Sequence, residues 1–403
     1  MSQLTSLIIV GINFSPEPTG NAPYTTDLAL SLSASRSVQV ITGIPHYPWW
    51  SKQAVFDDNP ILKRHPNLLI RRINHIVPKK PSNFGRLLME LSFGLNIILR
   101  DKMSGQTVLL VSPSMLSSAL VLLKLRVTRN KANTVLWVQD LYEQGLKETG
   151  NADGLSTRLI ARIENWLLSS VDQIVFAHEA FESSKKASLS SETVLATISN
   201  WSQFSFLPSA SEEATRENYG LSKTKMVLHI GNMGVKQGLE NVVASARLAE
   251  ERNSPVQFVL VGAGNQIEKL KSLAGKCKNI TFIPPVSEEE LSNLLNTADI
   301  LLVNEKPGVK EMSMPSKLTT YFQTGIPILV CSEPDSIGAQ QILNNDIGFW
   351  VQSGRPSELL EAVLNLDLEN AKDIASKAKN YAESNLGKSK ALELFAILLD
   401  KKK

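Results

Sequence analysis

The chain has 403 residues, 43% hydrophobic and 20% charged, which is too long for one ordinary domain and supplies apolar material for two cores. Its 42 Lys and Arg barely exceed its 39 Asp and Glu, and no strand interleaves aromatic with basic residues, so nucleic acid is excluded as the expected partner. Cys277 and Cys331 have no metal-ligand spacing and form no disulfide framework, and the histidines are scattered, so a reducing compartment without structural zinc is expected.

The opening MSQLTSLIIVGINF lacks a basic leader region and a small-residue cleavage site. Gly11 and Asn13 break its apolar run as they would in a buried first strand. Short β-branched runs then alternate with helix-length segments: SLIIVGI (6–12), SVQVITG (37–43), NLLIRRI (67–73), TVLLVS (107–112), TVLWVQD (134–140) and QIVFAH (173–178). Continuously apolar strands separated by helices predict a parallel sheet covered on both faces. The apolar stretch at 84–99 carries Arg86 and Glu90 and is shorter than the roughly 20 residues needed to span a bilayer.

The segment ISNWSQFSFLPSASEEATRENYG (198–220) is polar and aperiodic and reads as a linker, with a hinge near Pro208. A second alternating set follows, with strands at 226–231, 256–262, 280–285, 299–304, 327–332 and 348–352. Ser287 with Glu290 offers a capping box, and the tail reads as helices ending in charge. The expected fold is α/β, with two doubly wound Rossmann-like domains at 1–205 and 206–403 and the last helix free to pack back on the first. Open α/β sheets bind ligands beyond the carboxyl ends of their strands, so chemistry is expected in those loops and in a cleft between the domains.

Four stretches there carry unusual residues. After the first strand, Gly20 lies in a Pro-rich turn before a helix near Asn21 and Ala22, where backbone amides could meet a phosphate or sugar. GNMGVKQG places Gly231, Gly234 and Gly238 around Lys236, a compact cation suited to a diphosphate. VLVGAGNQ places Gly262 and Gly264 where a base or ribose could lie. In KEMSMPSKLTTYFQTGIPILV, Pro315 is pre-set for a first helical turn, so Ser316 and Lys317 come at the positive end of a helix that Gly325 closes. Neither GxxxxGK[ST] nor GxGxxG is present in these loops.

Taken in series, FSPEPTGNAPYTTDLALSLS, TGIPHYPWW, WVQDLY, ISNWSQFSFLP, GNMGVKQGLE, VGAGNQ and MPSKLTTYFQTGIPILV resemble the GT-B retaining glycosyltransferases of family 4 over nearly the full length. The likeness is greatest to enzymes of exopolysaccharide and O-antigen synthesis of the colanic-acid and fucosamine-transferase type. The resemblance implies a nucleotide-sugar donor, UDP- or GDP-linked, held mainly by the C-terminal domain. It also implies a lipid-linked saccharide acceptor on the N-terminal domain, transfer without a metal or other cofactor, and a cytoplasmic protein peripheral to the inner face of the plasma membrane. Carried over by position, Gly20 lies near the donor phosphates, Lys236 grips the diphosphate, and Ser316 and Lys317 stand at the phosphate-facing helix end. Asp140 falls near the transferred sugar, and Glu311 lies beside the family's first acidic position. Two positions depart from the pattern: Asn232 replaces a common Arg, and Thr320 replaces a glutamate that holds the donor ribose. These departures keep open a catalytically silent sugar-nucleotide-binding partner, and a nucleotide-sugar epimerase or hydrolase of the same fold is a separate alternative.

His46 and His178 are candidates for acceptor contact or for structural roles, and Tyr47, Trp49 and Trp50 give aromatic surface. Residues 63–102 carry nine bases (Lys63, Arg64, Arg71, Arg72, Lys79, Lys80, Arg86, Arg100, Lys102) against Glu90 and Asp101, a patch suited to an anionic membrane surface.

Overall fold

The computed structural model describes residues 7–18, 20–53, 62, 65–79, 82–101, 103, 106–141, 155–186, 189–190, 192–204, 206–309 and 316–400. Two compact units divide the chain, Met1–Trp201 with Lys388–Lys403, and Ser202–Gly387.

The first unit is built on seven parallel strands: β1 (Leu7–Val10), β2 (Val38–Gly43), β3 (Leu68–Ile73), β4 (Thr107–Val111), β5 (Asn133–Val138), β6 (Gln173–Phe176) and β7 (Val194–Thr197). Their order, β3-β2-β1-β4-β5-β6-β7, reverses direction between β1 and β4. β1, β4 and β6 are buried along their whole length, which explains their apolar sequences, interrupted only by Thr107 and Gln173 at the starts of β4 and β6. β7 was not expected from the sequence. It is a four-residue edge strand whose Val194 is exposed and whose other residues are only half-buried, so its composition carries no burial signal.

Aromatic packing closes this core. Trp137 stacks on Trp201 at 6.2 Å, and Phe395 meets Trp137 edge-on at 4.6 Å. Phe395 belongs to the helix Lys388–Asp400, which is pinned to the first unit by Lys388 to Asp27 and Arg36 to Asp400, each at 2.7 Å.

The second unit has six parallel strands: β8 (Lys225–Ile230), β9 (Val256–Val261), β10 (Ile280–Ile283), β11 (Ile300–Asn304), β12 (Ile328–Ser332) and β13 (Phe349–Gln352). Their order is β10-β9-β8-β11-β12-β13, with the reversal between β8 and β11. The capping box forms as expected: Ser287 Oγ accepts from Glu290 N–H at 3.3 Å, and Ser287 N–H donates to Glu290 Oε2 at 2.9 Å.

Two expectations need correction. The aperiodic segment 198–220 contains a helix, Glu212–Asn218, with Ser211 as its N-cap, because a seven-residue helix is too short to show a period. The hinge is not at Pro208: the units divide at Trp201 and Ser202, and Asn293 Oδ1 accepts from the N–H groups of Ser209 (2.8 Å) and Ala210 (2.9 Å), fixing that stretch to the second unit. Within the basic stretch 63–102, Lys79, Arg86 and Arg100 are exposed. Arg71 pairs with Asp101 at 2.6 Å, and Arg72 donates to Ser15 O at 2.6 Å, while Lys63, Arg64, Lys80 and Lys102 lie outside the described residues.

Beyond β2 and β3 lies a buried polar cluster. Glu17 accepts from the N–H groups of His46 (2.7 Å) and Tyr47 (2.9 Å) and from Asn13 Nδ2 (2.7 Å), fastening the HYPWW loop to the loop after β1. His46 Nδ1 lies 3.2 Å from the Glu17 carboxylate, so this histidine is structural. His75 packs edge-on against His46 at 4.8 Å and near Phe93 at 5.9 Å. Burial first, then the His46 ring and the Lys52 cation, lower its pKa to about 3. The folded imidazole therefore stays neutral where the unfolded one binds a proton. Its contribution to stability is full above an unfolded pKa of about 6.5 and is lost, at about 1.4 kcal/mol per pH unit, as pH falls from there toward the folded value. Urea unfolding from about pH 6 to about pH 4 should lose that much slope in His75→Leu; an unchanged slope would mean that the folded ring is protonated.

Candidate active site

The second unit gathers its chemistry where β8 and β11 diverge. The loop after β8 runs from Gly231 through a short 3-10 turn, Val235–Gln237, to the helix Glu240–Glu251. The helix following β11, Ser316–Tyr321, sends Lys317 toward that loop: a β-carbon built on Gly231 would lie 3.9 Å from Lys317 Cε. At six residues this helix has a weak dipole, so the positive character expected at its start rests on the lysine.

Lys317 is held by a residue that sequence reasoning passed over. His229, fully buried on β8, has Nδ1 3.1 Å from Leu302 O and Nε2 3.5 Å from Lys317 Nζ. A carbonyl only accepts, so Nδ1 carries the proton and Nε2 offers its lone pair to the ammonium. Burial, and then the Lys317 charge, hold the imidazole well below its usual pKa and therefore neutral. A neutral acceptor orients the lysine without cancelling its charge, which a carboxylate in the same place would do. The available signal was a lone polar residue inside the otherwise apolar run MVLHIG.

Lys236 is exposed on the 3-10 turn, and its carbonyl accepts from Lys306 N–H at 2.8 Å. Asn304, the last residue of β11, fixes the turn. Its Nδ2 donates to Gln237 O (2.7 Å) and Gly238 O (3.0 Å), and its Oδ1 accepts from Asn241 Nδ2 (3.1 Å). Losing three buried hydrogen bonds should make Asn304→Ala less stable by about 3 kcal/mol. The measured affinity for a nucleoside diphosphate should fall with it, and wild-type affinity in this variant would detach Lys236 from the site.

Gly262 and Gly264 require a different explanation from the expected one. The room they leave is filled by backbone: a β-carbon on Gly262 would come 2.1 Å from Gly231 O, and one on Gly264 would come 2.3 Å from Met233 O. Both glycines thus seat the loop after β8, which is further tied by Met233 N–H to Ala263 O at 2.8 Å. Asn232 is exposed beside Gly234, whose missing side chain accommodates the Asn232 amide. Thr320 is half-buried on the lysine's helix, and Tyr321 takes the Ile230 N–H on its hydroxyl at 2.9 Å. Glu311 and Pro315 lie outside the described residues.

In the first unit, the loops after β1, β4 and β5 are linked. Asn21, next to Gly20, donates from Nδ2 to Ser112 O at 2.6 Å, and Ser112 Oγ accepts from the N–H groups of Gln139 (2.7 Å) and Asp140 (3.2 Å). Gly20 adopts φ +68° with Tyr47 alongside, so the turn and Asp140 share the end of the sheet at its reversal point. His178 follows β6 and packs edge-on to Phe181 at 6.3 Å. Among the described residues, no three His, Cys, Asp or Glu cluster to hold a metal ion.

Residues 211–384 match the family described as glycosyl transferases group 1. The chain is 29% identical to the putative colanic acid biosynthesis glycosyl transferase WcaI of Escherichia coli (strain K12), over 81% of this chain and 83% of that protein. Among solved structures, sucrose-phosphate synthase from Thermosynechococcus elongatus superposes with a TM-score of 0.75 at 15% identity, covering 98% of each chain. Anabaena HepE in complex with UDP-glucose gives a TM-score of 0.68 at 13% identity, over 98% of this chain and 99% of that one. The chain therefore has the GT-B fold, and its residues 211–384 are similar to the glycosyl transferases group 1 family.

Proposed function

We propose that this protein is a retaining, family 4-like glycosyltransferase that moves a hexose-type sugar from a nucleotide-sugar donor, UDP- or GDP-linked, to a lipid-linked saccharide in bacterial surface polysaccharide synthesis. The observation that carries the reading is Lys317, oriented by neutral His229 against the Gly231 loop inside a group 1 glycosyl transferase domain. The similarity to WcaI, named for colanic acid biosynthesis, supports the polysaccharide context, and the Anabaena HepE complex with UDP-glucose supports the donor class.

In such a transfer the bond to the leaving diphosphate breaks as the sugar gains oxocarbenium character. Fixed positive charge on the diphosphate is then the main lever on the barrier. Lys317 and Lys236 supply it, with the amides of the Gly231 loop. Asp140 orients a sugar hydroxyl or supports the cation, Glu311 is carried over as a catalytic acid from its place beside the family's first acidic position, and Thr320 takes a ribose hydroxyl with a neutral hydrogen bond where an ionised acceptor would bind more strongly. No metal is required in this scheme, because the two lysines carry the charge.

The test is a thermal-shift panel of UDP, GDP and dTDP sugars, with and without magnesium, followed by transfer of labelled sugar to lipid-linked acceptors. A ligand at about 100 times its Kd adds roughly 2.7 kcal/mol. One stabilising nucleotide class, and an anomerically retained lipid product, are expected. Donor consumed without acceptor would instead identify an epimerase or hydrolase, and no binding by any nucleotide would remove the site assignment.

A further inference from the structure

The chain passes between the two units twice, leaving the first after Trp201 and returning to it at Lys388. Both crossings are fastened to one carboxylate in the first unit. Asp27 Oδ2 accepts from Trp201 Nε1 at 2.8 Å, and Asp27 Oδ1 pairs with Lys388 Nζ at 2.7 Å. Asp27 stands on the helix Ala22–Ser33, which begins directly after the Gly20 turn and Asn21. One helix thus carries the Gly20 turn at its start and the anchor of both crossings about 9 Å further along its axis.

A second connection reaches Asp140. Asn200, just before Trp201, and Gln139, just before Asp140, exchange amide hydrogen bonds: Asn200 Nδ2 donates to Gln139 Oε1 at 2.6 Å, and Gln139 Nε2 donates to Asn200 Oδ1 at 3.1 Å. Gln139 is buried, so removing either partner leaves a buried amide unpaired. The N–H groups of Gln139 and Asp140 both reach Ser112 Oγ, and Ser112 O accepts from Asn21 Nδ2. The two connections therefore close into a ring: from the first crossing through Asn200, Gln139, Ser112 and Asn21, and back along the helix to Asp27 and Trp201. A satisfied polar network of this kind fixes one arrangement of the groups it joins. The joined groups are the two crossings, the Gly20 turn and the Asp140 loop.

We propose that Asp27, Gln139 and Asn200 are positioning residues that hold the Gly20 and Asp140 loops in one register with the points where the chain leaves and re-enters the first unit. Turnover then depends on the ring, while diphosphate affinity, which rests on Lys317 and Lys236, does not. The inference rests on the proposed roles of Gly20 and Asp140 and adds residues that act through those loops.

Gln139→Met and Asn200→Leu each remove one side of the amide exchange at similar volume. Each should lower kcat about 10- to 100-fold, since a misplacement of about 1 Å can cost the upper figure. Calorimetric Kd for UDP or GDP should stay within about twofold of wild type, as expected for independent sites. The double variant should be no slower than the worse single one, because groups that act as a unit are not additive. Gln139→Asn combined with Asn200→Gln keeps the joint length of the pair and should recover most of the rate. Asp27→Asn keeps an acceptor for Trp201 and should slow turnover less than Asp27→Ala. Asp400→Asn is the control: it loosens the far end of the same Lys388–Asp400 helix and should keep the wild-type rate. Amide hydrogen exchange reads the ring without turnover, and the Gln139 and Asp140 N–H groups should exchange faster in Asn200→Leu. Wild-type kcat in both single variants, no recovery by the exchanged pair, an equal loss in Asp400→Asn, or unchanged amide exchange would overturn the proposal. A wild-type protein that transfers no sugar, with the exchange effect still present in Asn200→Leu, would remove the transferase reading and leave the ring standing.

Discussion

Lys317→Ala is expected to weaken nucleoside diphosphate binding by about 10- to 150-fold, the value of one hydrogen bond to a charged group at about 1.5–3 kcal/mol. Turnover should fall further, by about 100- to 1,000-fold, because the leaving diphosphate gains charge in the transition state and a fixed donor there is worth more than in the ground state. The side chain is half-buried and its ammonium lies 3.5 Å from His229 Nε2, so circular dichroism of the variant should stay unchanged. Lys317→Arg should recover part of the binding but little of the rate, since a planar guanidinium does not reproduce a compact ammonium. Calorimetric titration with the nucleoside diphosphate decides the matter. Wild-type affinity in the alanine variant would mean that the lysine serves the fold alone.

The largest effect on stability is expected from Gly262→Ala. A methyl group there would sit 2.1 Å from Gly231 O, and the backbone at φ +134° is one that side chains rarely adopt. Overpacking at about 1–3 kcal/mol and backbone strain at about 1–3 kcal/mol give a combined cost of about 4 kcal/mol. Gly220→Ala is the control. Gly220 has φ +61° but nothing within 4 Å of the added carbon, so only the left-handed conformation is penalised, at about 1–2 kcal/mol. Urea unfolding of the two variants should therefore differ by at least about 2 kcal/mol. Relief of the Gly262 clash requires the Gly231 loop to move, so Gly262→Ala should also lose diphosphate affinity, whereas Gly220→Ala should keep it. Equal stability losses in the two variants would show that the close approach is absorbed elsewhere.

Both results bear on how much of the molecule was legible in its sequence. Strands such as TVLLV and VQFVLV announce themselves because burial on both faces demands a run that is apolar but for Thr107 and Gln257. The edge strand VLAT makes no such demand and was invisible. Glycines were recognisable as unusual, but a glycine at Gly262 looks the same whether it admits a ligand or a neighbouring backbone; only the three-dimensional approach of Gly231 distinguishes the two. Lys317 and Lys236 stood out in the sequence because one follows Pro315 at a helix start and the other lies among the glycines of the turn after a buried strand. His229 and Asn304 did not, because their roles depend on partners that lie far away in sequence, 88 residues for His229 and Lys317. The same limit hid the pairing of Arg71 with Asp101, 30 residues away.

The placement of the helix Lys388–Asp400 has a consequence for synthesis. Phe395 covers Trp137 in the first unit, yet it is translated only after the whole of the second unit, Ser202–Gly387. A ribosome that has finished the second unit therefore holds a first unit whose aromatic core is still open on one side. The order of completion is inverted relative to the order of translation: the later unit can close before the earlier one does. During that interval the uncovered tryptophan face is the part of the nascent chain most in need of a chaperone.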